Sequence, residues 1–268
     1  MIDRGKREIL GVLVDAIDYE AAVERVKQAA EAKRALGVTA LAVHGVMTGV
    51  LDRVHCYRLN HLDLVVPDGQ PVRWALNLLY GAKLPARVYG PTLMLKVCEM
   101  AAKRGLPIFL YGSRPEVLVA LSDRLRRMFP NLAIAGTRPS YFRRLSEDEH
   151  LAAAEVIRNS GAVITFVGLG CPRQEVWVYE HLMCLDMPVL AVGAAFDFHA
   201  GLLPQAPPGM QRLGLEWLFR LIHEPRRLWR RYLLLNPAYL ALLCLWVLGV
   251  RLTRATSAQP PGQQIRYG

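Results

Sequence analysis

The feature that most constrains the fold is an alternation of short apolar runs with longer segments of helical period. Four of these runs carry no charge: LPIFLYG (106–112), LAIAG (132–136), AVITFVGLG (162–170) and PVLAVG (188–193). Such runs predict strands that are buried on both faces of a sheet. Because segments of helix length separate most of them, the connections are predicted to be crossovers and the sheet to be mainly parallel.

The first part of the chain shows the same alternation. Segments 9–14, 38–43 and 63–66 read as strands, and segments 18–35 and 46–58 read as helices. Together the pattern predicts an α/β fold over residues 1–208, Rossmann-like, with a mainly parallel sheet and flanking helices. Ligands of such sheets bind beyond the carboxyl ends of the strands, so we expect the chemistry in the loops there.

The C-terminal quarter is different in charge and in pattern. Residues 201–268 contain nine Arg and two Glu, which is +7 of the formal net charge of +10. Residues 209–250 are predicted to form a basic and apolar helical appendage, whose segment 232–250 carries no charge. The polar composition of residues 251–268 predicts a disordered tail.

A cluster of arginines in this appendage stands among aromatic residues; its members are Arg220, Arg226, Arg227, Arg230 and Arg231. Arginines attract anionic headgroups or a diphosphate, and aromatic rings favour the membrane interface, so the cluster predicts an anionic membrane surface as partner. A solvated basic helix is the alternative. No base-stacking or groove-reading pattern accompanies the arginines, and we therefore do not expect nucleic acid as a partner.

The apolar segment 232–250 is close to the roughly 20 residues that a membrane-spanning helix needs. Asn236-Pro237 interrupts its first turn, and Arg251 follows it directly. This favours a helix that lies in the interface over one that spans the bilayer. Packing of the segment against a second copy of the chain, in a homo-oligomer, is left open.

The cysteines and the N-terminal residues indicate the cellular compartment of the protein. Five cysteines make an odd count, and their spacing contains neither a C-x-x-C pair nor another metal-ligand pattern. A reducing compartment fits this usage. The opening MIDRGKREIL lacks the apolar stretch of a secretory signal. With the basic appendage, these features predict a protein at the cytoplasmic face of a membrane.

Two strand ends present candidate functional residues in the middle of the chain. In VVPDGQPVRWAL (65–76), Asp68 follows a strand and precedes a helix, where it can act as a general base or cap the helix. In IFLYGSRPEVLVAL (108–121), Gly112 and Ser113 join a strand to a helix. The glycine would let a ligand approach the backbone, and the helix N-terminus would offer N–H groups to a phosphate.

Two later segments present further candidates. VGLGCPRQEVWVYEH (167–181) supplies Gly168, Gly170, Arg173 and Gln174, and the glutamine can contact a ligand or remain solvated. In the segment that follows the last strand, Asp197 stands between Phe196 and Phe198. These rings can contact a ligand or simply pack in the core. Tyr141, in a loop at the same sheet edge, can border a ligand.

The motifs as a set resemble one family. They are PDG-x-P-V-x-W-A, LPARVYG, YGSRPEV, G-x-G-x-P-R-Q-E, FDFHAG and the long APPGMQRLGLEWLFRL-x-x-EPRRLWRRYL. From about His44 to about Asn236 the chain resembles the WecG/TagA/CpsF family, glycosyltransferase family 26. The last motif is too long and specific for coincidence.

This resemblance implies a hexosyltransferase that moves a sugar, with inversion, from a UDP-sugar donor to a polyprenyl-diphosphate-linked sugar acceptor at the cytoplasmic face of the bacterial inner membrane. Gln174 would then meet a sugar or uracil edge, the rings beside Asp197 would contact uracil, and Tyr141 would border the nucleotide. The activity nearest the family name is N-acetylmannosaminyl transfer, and other members make exopolysaccharide linkages. Asp68 is then the expected base, and Arg87 is a candidate to bind phosphate, with a surface ion pair as its alternative. We expect no cofactor, and because the chain contains no D-x-D motif we expect no metal.

One position departs from the family pattern. Many members carry a Thr-x-Asn pair on the strand before the P-D-G motif, where this chain has Ala42 and His44. His44 can replace the Asn as an acceptor-binding or orienting group, or be a structural histidine. The substitution puts mannosamine in doubt as the sugar. A catalytically inactive nucleotide-sugar-binding assembly partner is the alternative function, whereas an oxidoreductase is disfavoured because G-x-G-x-x-G is absent.

Overall fold

The structure is a computed structural model that describes the backbone of residues 1–268. The side chains of Pro208, Arg212, Arg227 and Arg231 lie outside the described part. The chain begins with an antiparallel hairpin of strands β1 (Asp3–Ile9) and β2 (Val12–Ile17). Sequence pattern predicted a single strand over 9–14, but Leu10 and Gly11 take positive φ angles of 52° and 91° and turn the chain.

Six further strands of the described backbone form one parallel sheet, in the order β4-β3-β8-β7-β5-β6. Their bounds are β3 (Leu36–Leu41), β4 (Leu64–Pro67), β5 (Ile108–Gly112), β6 (Ile134–Arg138), β7 (Ile164–Gly168) and β8 (Pro188–Ala191). The mainly parallel, Rossmann-like sheet predicted from the sequence is thereby confirmed. The apolar run of β5 is explained as well, because its alternate residues enter opposite cores: Phe109 on one face of the sheet and Leu110 on the other. The prediction of a buried strand over 132–136 is wrong, because β6 lies at the edge of the sheet and is only partly buried.

Helices flank the sheet and connect its strands. Those of the first 200 residues are α1 (Tyr19–Glu31), α2 (Val43–Leu51), α3 (Arg53–Asn60), α4 (Gln70–Tyr80), α5 (Gly90–Arg104), α6 (Pro115–Met128), α7 (Glu147–Asn159), α8 (Arg173–His181) and α9 (Ala195–Ala200). The single helix predicted over 46–58 is divided into α2 and α3. Asp52 divides it, since its extended backbone ends α2 and its carboxylate caps α3 by accepting from the N–H groups of Val54 and His55.

Four more helices follow: α10 (Pro208–Arg212), α11 (Glu216–His223), α12 (Pro225–Leu233) and α13 (Leu235–Val247). The apolar α13 packs on α2, and the hydroxyl of its buried Tyr239 donates to the carbonyl of Pro71 at 3.2 Å. None of the helices that the structure describes is both long and apolar enough to cross a membrane. The predicted helical character of 209–250 is present, and its membrane association stays a prediction.

The C-terminal segment, for which composition predicts disorder, ends against the α/β domain in the structure. The backbone N–H groups of Ile265 and Arg266 donate to the buried carboxylate of Glu180, at 2.7 and 2.9 Å. Tyr267 forms an antiparallel bridge with Arg144. A buried carboxylate needs hydrogen-bond donors, and the C-terminal segment supplies two of them. A prediction from composition does not take such contacts into account.

Candidate active site

A cavity of about 890 Å³ opens at the carboxyl edge of the sheet. The carboxyl ends of four neighbouring strands and the segments that follow them line it: 40–45 at β3, 68–71 at β4, 168–175 at β7 and 192–194 at β8. Side chains from the C-terminal helices close another part of the wall. The volume falls in the range of about 300–1,000 Å³ that small-molecule sites occupy. It is the place where parallel sheets of this class bind their ligands.

Asp68 lies half-buried at the end of β4, in the wall of this cavity. Its Oδ1 accepts a hydrogen bond from the N–H of Gly90, the first residue of α5, at 3.2 Å. The residue that caps α4 is Gly69, which offers no side chain. The alternative that Asp68 caps the helix directly after it is therefore wrong, and its carboxylate is presented to the cavity.

The surroundings of Asp68 raise its pKa to about 6. Burial is the main cause, because it penalises the charged carboxylate, and the negative charge of Glu216 adds to it. Arg87, the Gly90 N–H and Arg220 act in the opposite direction. A carboxylate with this pKa is a stronger proton acceptor than an ordinary aspartate and is still ionised at neutral pH.

Arg87 reaches the cavity from the segment between α4 and α5, and it forms an ion pair with Glu216 at the start of α11. Both side chains are largely buried, with 12% and 11% of their surface exposed, so this is not the surface ion pair considered from the sequence. The Arg87 guanidinium also lies 4.3 Å from the ring centre of Tyr89. The ion pair between Arg87 and Glu216 connects the C-terminal helices to the cavity wall beside Asp68.

The loop after β7 is held by a buried hydrogen-bond network. Oε1 of Gln174 accepts from the N–H of Gly170 at 3.1 Å, and its Nε2 donates to Glu175 at 2.9 Å. Thr39 on β3 donates to the same Glu175 oxygen at 3.1 Å. Gln174 is therefore not a solvated helix-start residue, because it is only 4% exposed and shapes the cavity wall.

Gly112 and Ser113 occupy the neighbouring strand end. Gly112 has φ 104°, and a Cβ there would lie 2.8 Å from the carbonyl oxygen of Gly168. Its lack of a side chain thus serves the close approach of β5 to β7, where the sequence suggested approach of a ligand. Ser113 donates its N–H to the Gly168 carbonyl at 2.9 Å, and both of these residues line the cavity.

The two aromatic rings in the segment after β8 have different surroundings. Phe196 is fully buried and packs against Gly168, so the core alternative is correct for this ring. Asp197 and Phe198 line the cavity, and the Arg220 guanidinium lies 5.6 Å from the ring centre of Phe198. Asp197 and Phe198 are therefore the residues of this motif that face the candidate site.

A family model described as glycosyl transferase WecG/TagA/CpsF family matches residues 7–253. The chain belongs to the WecG/TagA/CpsF family of glycosyltransferases. The match covers most of the chain, from the first strand through the appendage, and confirms the resemblance that the motifs indicated. Membership supports the transfer of a sugar in the synthesis of cell-surface polymers.

The two residues that depart from the WecG/TagA/CpsF pattern, Ala42 and His44, both line the cavity. His44, the second residue of α2, is one of the lining residues, and Ala42 before it is the N-cap of the helix. An alanine has no group that can cap, and no side-chain cap bond is present in this described turn. The backbone carbonyl of His44 accepts from the side-chain hydroxyl of Thr48 at 2.8 Å.

The predicted arginines separate into distinct groups in this WecG/TagA/CpsF chain. Arg173 and Arg220 line the cavity, whereas Arg226 and Arg230 are exposed on α12, Arg230 with its guanidinium 5.2 Å from the ring centre of Trp229. The predictions for Arg227 and Arg231 fall on side chains outside the described part. The predicted cluster therefore includes one described residue that reaches the cavity and two that face outward.

The sequence analysis missed several cavity residues. Tyr141 was predicted at the edge of the site, but its exposed hydroxyl accepts from Arg138 at 2.5 Å, and the following Phe142 lines the cavity. The appendage contributes a further set: Glu216, Trp217, Leu228, Tyr232 and Asn236. The long C-terminal motif contains most of them, and its length was the signal that this segment belongs to the site.

Residues that could hold a metal come together beside the same loop. His55, Cys171 and Glu175 each place one ligand atom within 4.8 Å of the others, and they form the one such cluster found among the described side chains. The spacing rules applied to the sequence did not predict it, because His55 is more than a hundred residues from Cys171 in the chain.

Proposed function

We propose that the protein transfers a sugar, with inversion, from a UDP-sugar to a polyprenyl-diphosphate-linked acceptor sugar. The observation that carries the proposal is the carboxylate of Asp68 in the cavity wall, with its raised pKa and its neighbours Arg87 and Glu216. Family membership supports a sugar transfer, and the position of the carboxylate supports a reaction that needs a general base.

In the proposed reaction Asp68 accepts the proton of the acceptor hydroxyl. The oxygen of that hydroxyl attacks the anomeric carbon and forms the new glycosidic bond, while the bond from this carbon to UDP breaks. The diphosphate leaves on the opposite face with the electron pair, which gives inversion. The pKa of about 6 favours this step, because a base is most effective when its pKa lies near the working pH.

The leaving diphosphate needs compensation for its charge, and we assign this to the α6 and α8 ends of the cavity. Ser113 lies just before α6, and Arg173 opens α8, so both helices direct N-terminal N–H groups toward this wall. Arg173 and Arg220 add positive charge at the cavity. The absence of a D-x-D motif from the sequence supports stabilisation by these groups without a metal.

We assign the acceptor to the side of the cavity formed by the C-terminal helices. Arg220 faces the cavity there, and the outer surface of the same helices exposes large apolar side chains: Leu213, Leu218, Ile222, Trp229, Leu233 and Leu234. An apolar surface with arginines suits the interface of an anionic membrane, which carries polyprenyl lipids. This supports action at the cytoplasmic face of the inner membrane.

The proposal is tested by incubating the purified protein with UDP-sugars and polyprenyl-diphosphate-linked sugars and reading the products by mass spectrometry. We expect one pair to give a lipid-linked disaccharide and UDP, with inverted anomeric configuration by NMR. Binding of UDP-sugars without any product, across the acceptors, would support the inactive binding partner instead. A product with retained configuration would contradict the assigned role of Asp68.

A further inference from the structure

The loop between β7 and α8 brings a nitrogen, a sulfur and an oxygen ligand together beside the start of α8. The three residues are His55 on α3, Cys171 just before α8 and Glu175 in its first turn. One ring nitrogen of His55, the Cys171 sulfur and one Glu175 carboxylate oxygen lie within 4.8 Å of one another. A small closing movement would bring them to the separations found around one metal ion.

Burial makes this arrangement costly without a ligand. His55 and Glu175 are 2% and 1% exposed, and among the described atoms neither Nε2 of His55 nor Oε2 of Glu175 has a hydrogen-bond partner. A buried polar atom without a partner is destabilising, and a buried carboxylate oxygen is especially so. A cation between these groups would satisfy both.

The other oxygen of Glu175 is already held in place. Its Oε1 accepts from Thr39 at 3.1 Å and from Gln174 at 2.9 Å. These two donors fix the orientation of the carboxylate and leave Oε2 for a ligand, which is how outer hydrogen bonds position metal-binding side chains. The pre-orientation distinguishes Glu175 from an ordinary buried carboxylate that rotates to find a partner.

The donor set selects the class of metal. Imidazole nitrogen, thiolate sulfur and carboxylate oxygen together suit Zn²⁺, whereas Mg²⁺ and Ca²⁺ prefer oxygen ligands alone. Cys171 and Glu175 line the cavity, so a fourth position on the ion would open toward it. Three protein ligands and one open position are a usual arrangement for zinc.

We propose that His55, Cys171 and Glu175 bind one Zn²⁺ ion at the cavity wall. The ion would join α3 to the loop that opens α8, through ligands from two elements that pack against each other. The site does not include Asp68 or Arg87, although it adjoins the start of α8, to which the leaving diphosphate is assigned. Its test reads metal binding directly and does not depend on activity, so either proposal can fail without the other.

The test is a Co²⁺ titration of the full-length chain after removal of metal with a chelator. We expect one equivalent of Co²⁺ to produce a thiolate-to-cobalt charge-transfer band in the near ultraviolet, and one equivalent of Zn²⁺ to abolish it. Calorimetry should give the same stoichiometry for Zn²⁺, and Zn²⁺ should raise the thermal midpoint.

The variants are Cys171→Ser, His55→Ala and Glu175→Gln, with Cys184→Ser as the matched control, since Cys184 is a free cysteine of similar, partial exposure. We expect Cys171→Ser to lose the charge-transfer band and Cys184→Ser to bind like the wild type. The other two should bind at least about tenfold more weakly, because the loss of a ligand should cost no less than the loss of an outer hydrogen bond. Circular dichroism identifies a variant that fails to fold; Cys171→Ser, in a partly exposed loop, then decides the question. Absence of stoichiometric binding by the wild type, or an unchanged band in Cys171→Ser, would overturn the proposal.

Discussion

Arg87 and Glu216 form a largely buried ion pair across 129 positions of the sequence, and both side chains line the cavity that contains Asp68. The pair links the segment before α5 to the first residue of α11, so the C-terminal helices are part of the site wall. It also places one positive and one negative charge near Asp68, with opposite effects on the pKa of its carboxyl group.

Because the two charges act in opposite directions, removing one or the other should shift the pKa of Asp68 in opposite directions. Glu216→Gln removes a charge that raises the pKa of Asp68, so the acid limb of kcat/KM against pH should move below about 6. Arg87→Gln removes a charge that lowers it, so the limb should move above about 6. Both variants are expected to be less active, since each leaves a charged partner buried. Shifts of equal sign, or none, would contradict the opposite effects assigned to these two charges.

The stability of the protein should depend on the protonation of Asp68. Its folded-state pKa of about 6 lies above the ordinary 3.8, so the folded chain holds this proton more tightly. The resulting stabilisation is full below about pH 4 and is lost as the pH rises to about 6. Asp68→Asn cannot ionise, so its thermal midpoint should exceed that of the wild type at pH 7.5 and approach it at pH 4. A less stable variant at pH 7.5 would contradict this.

Chelation should leave the proposed transfer intact. Because the leaving diphosphate is assigned to helix N-termini and arginines, turnover in excess EDTA should match turnover without it. The measurement is the rate of UDP release from metal-free protein, with and without added Mg²⁺ or Mn²⁺. A rate that collapses in EDTA and returns with either ion would show that the leaving group needs a metal.

Binding to lipid vesicles tests the predicted association with an anionic membrane. Arg226 and Arg230 are exposed on α12, and each basic residue near an anionic surface contributes about 1 kcal/mol. Replacing both with Gln should therefore weaken binding to anionic vesicles by about 30-fold at low salt, and much less at high salt. The matched control is Lys103→Gln with Arg104→Gln, two exposed residues at the end of α5, at the other edge of the sheet. An equal loss in the control would indicate a general charge effect.

Much of the α/β fold could be predicted because burial leaves a direct mark on the sequence. β5 reads as an uninterrupted apolar run since Phe109 and Leu110 enter cores on opposite faces. The hairpin at the N-terminus could not be read in the same way. Its turn residues, Leu10 and Gly11, stand inside an apolar stretch, and the positive φ of a leucine has no signature in composition.

The candidate site could be predicted in part. Asp68 and Gln174 were found because strand ends and helix starts are visible in the sequence and point to one sheet edge. The roles of Glu216 as the partner of Arg87, and of His55 as the neighbour of Cys171, depend on tertiary packing. No spacing rule joins residues that are more than a hundred positions apart.

The transfer rate of Asp68→Asn tests the central proposal most directly. The control is Asp186→Asn, an exposed aspartate just before β8, at the amino edge of the sheet and away from the cavity. With a UDP-sugar and a polyprenyl-diphosphate-linked acceptor, we expect Asp68→Asn to lose about 10²–10⁴ in turnover, the usual contribution of a general base, while UDP binds as in the wild type. Asp186→Asn should keep the wild-type rate. Wild-type turnover in Asp68→Asn would contradict the assignment of this carboxylate as the base.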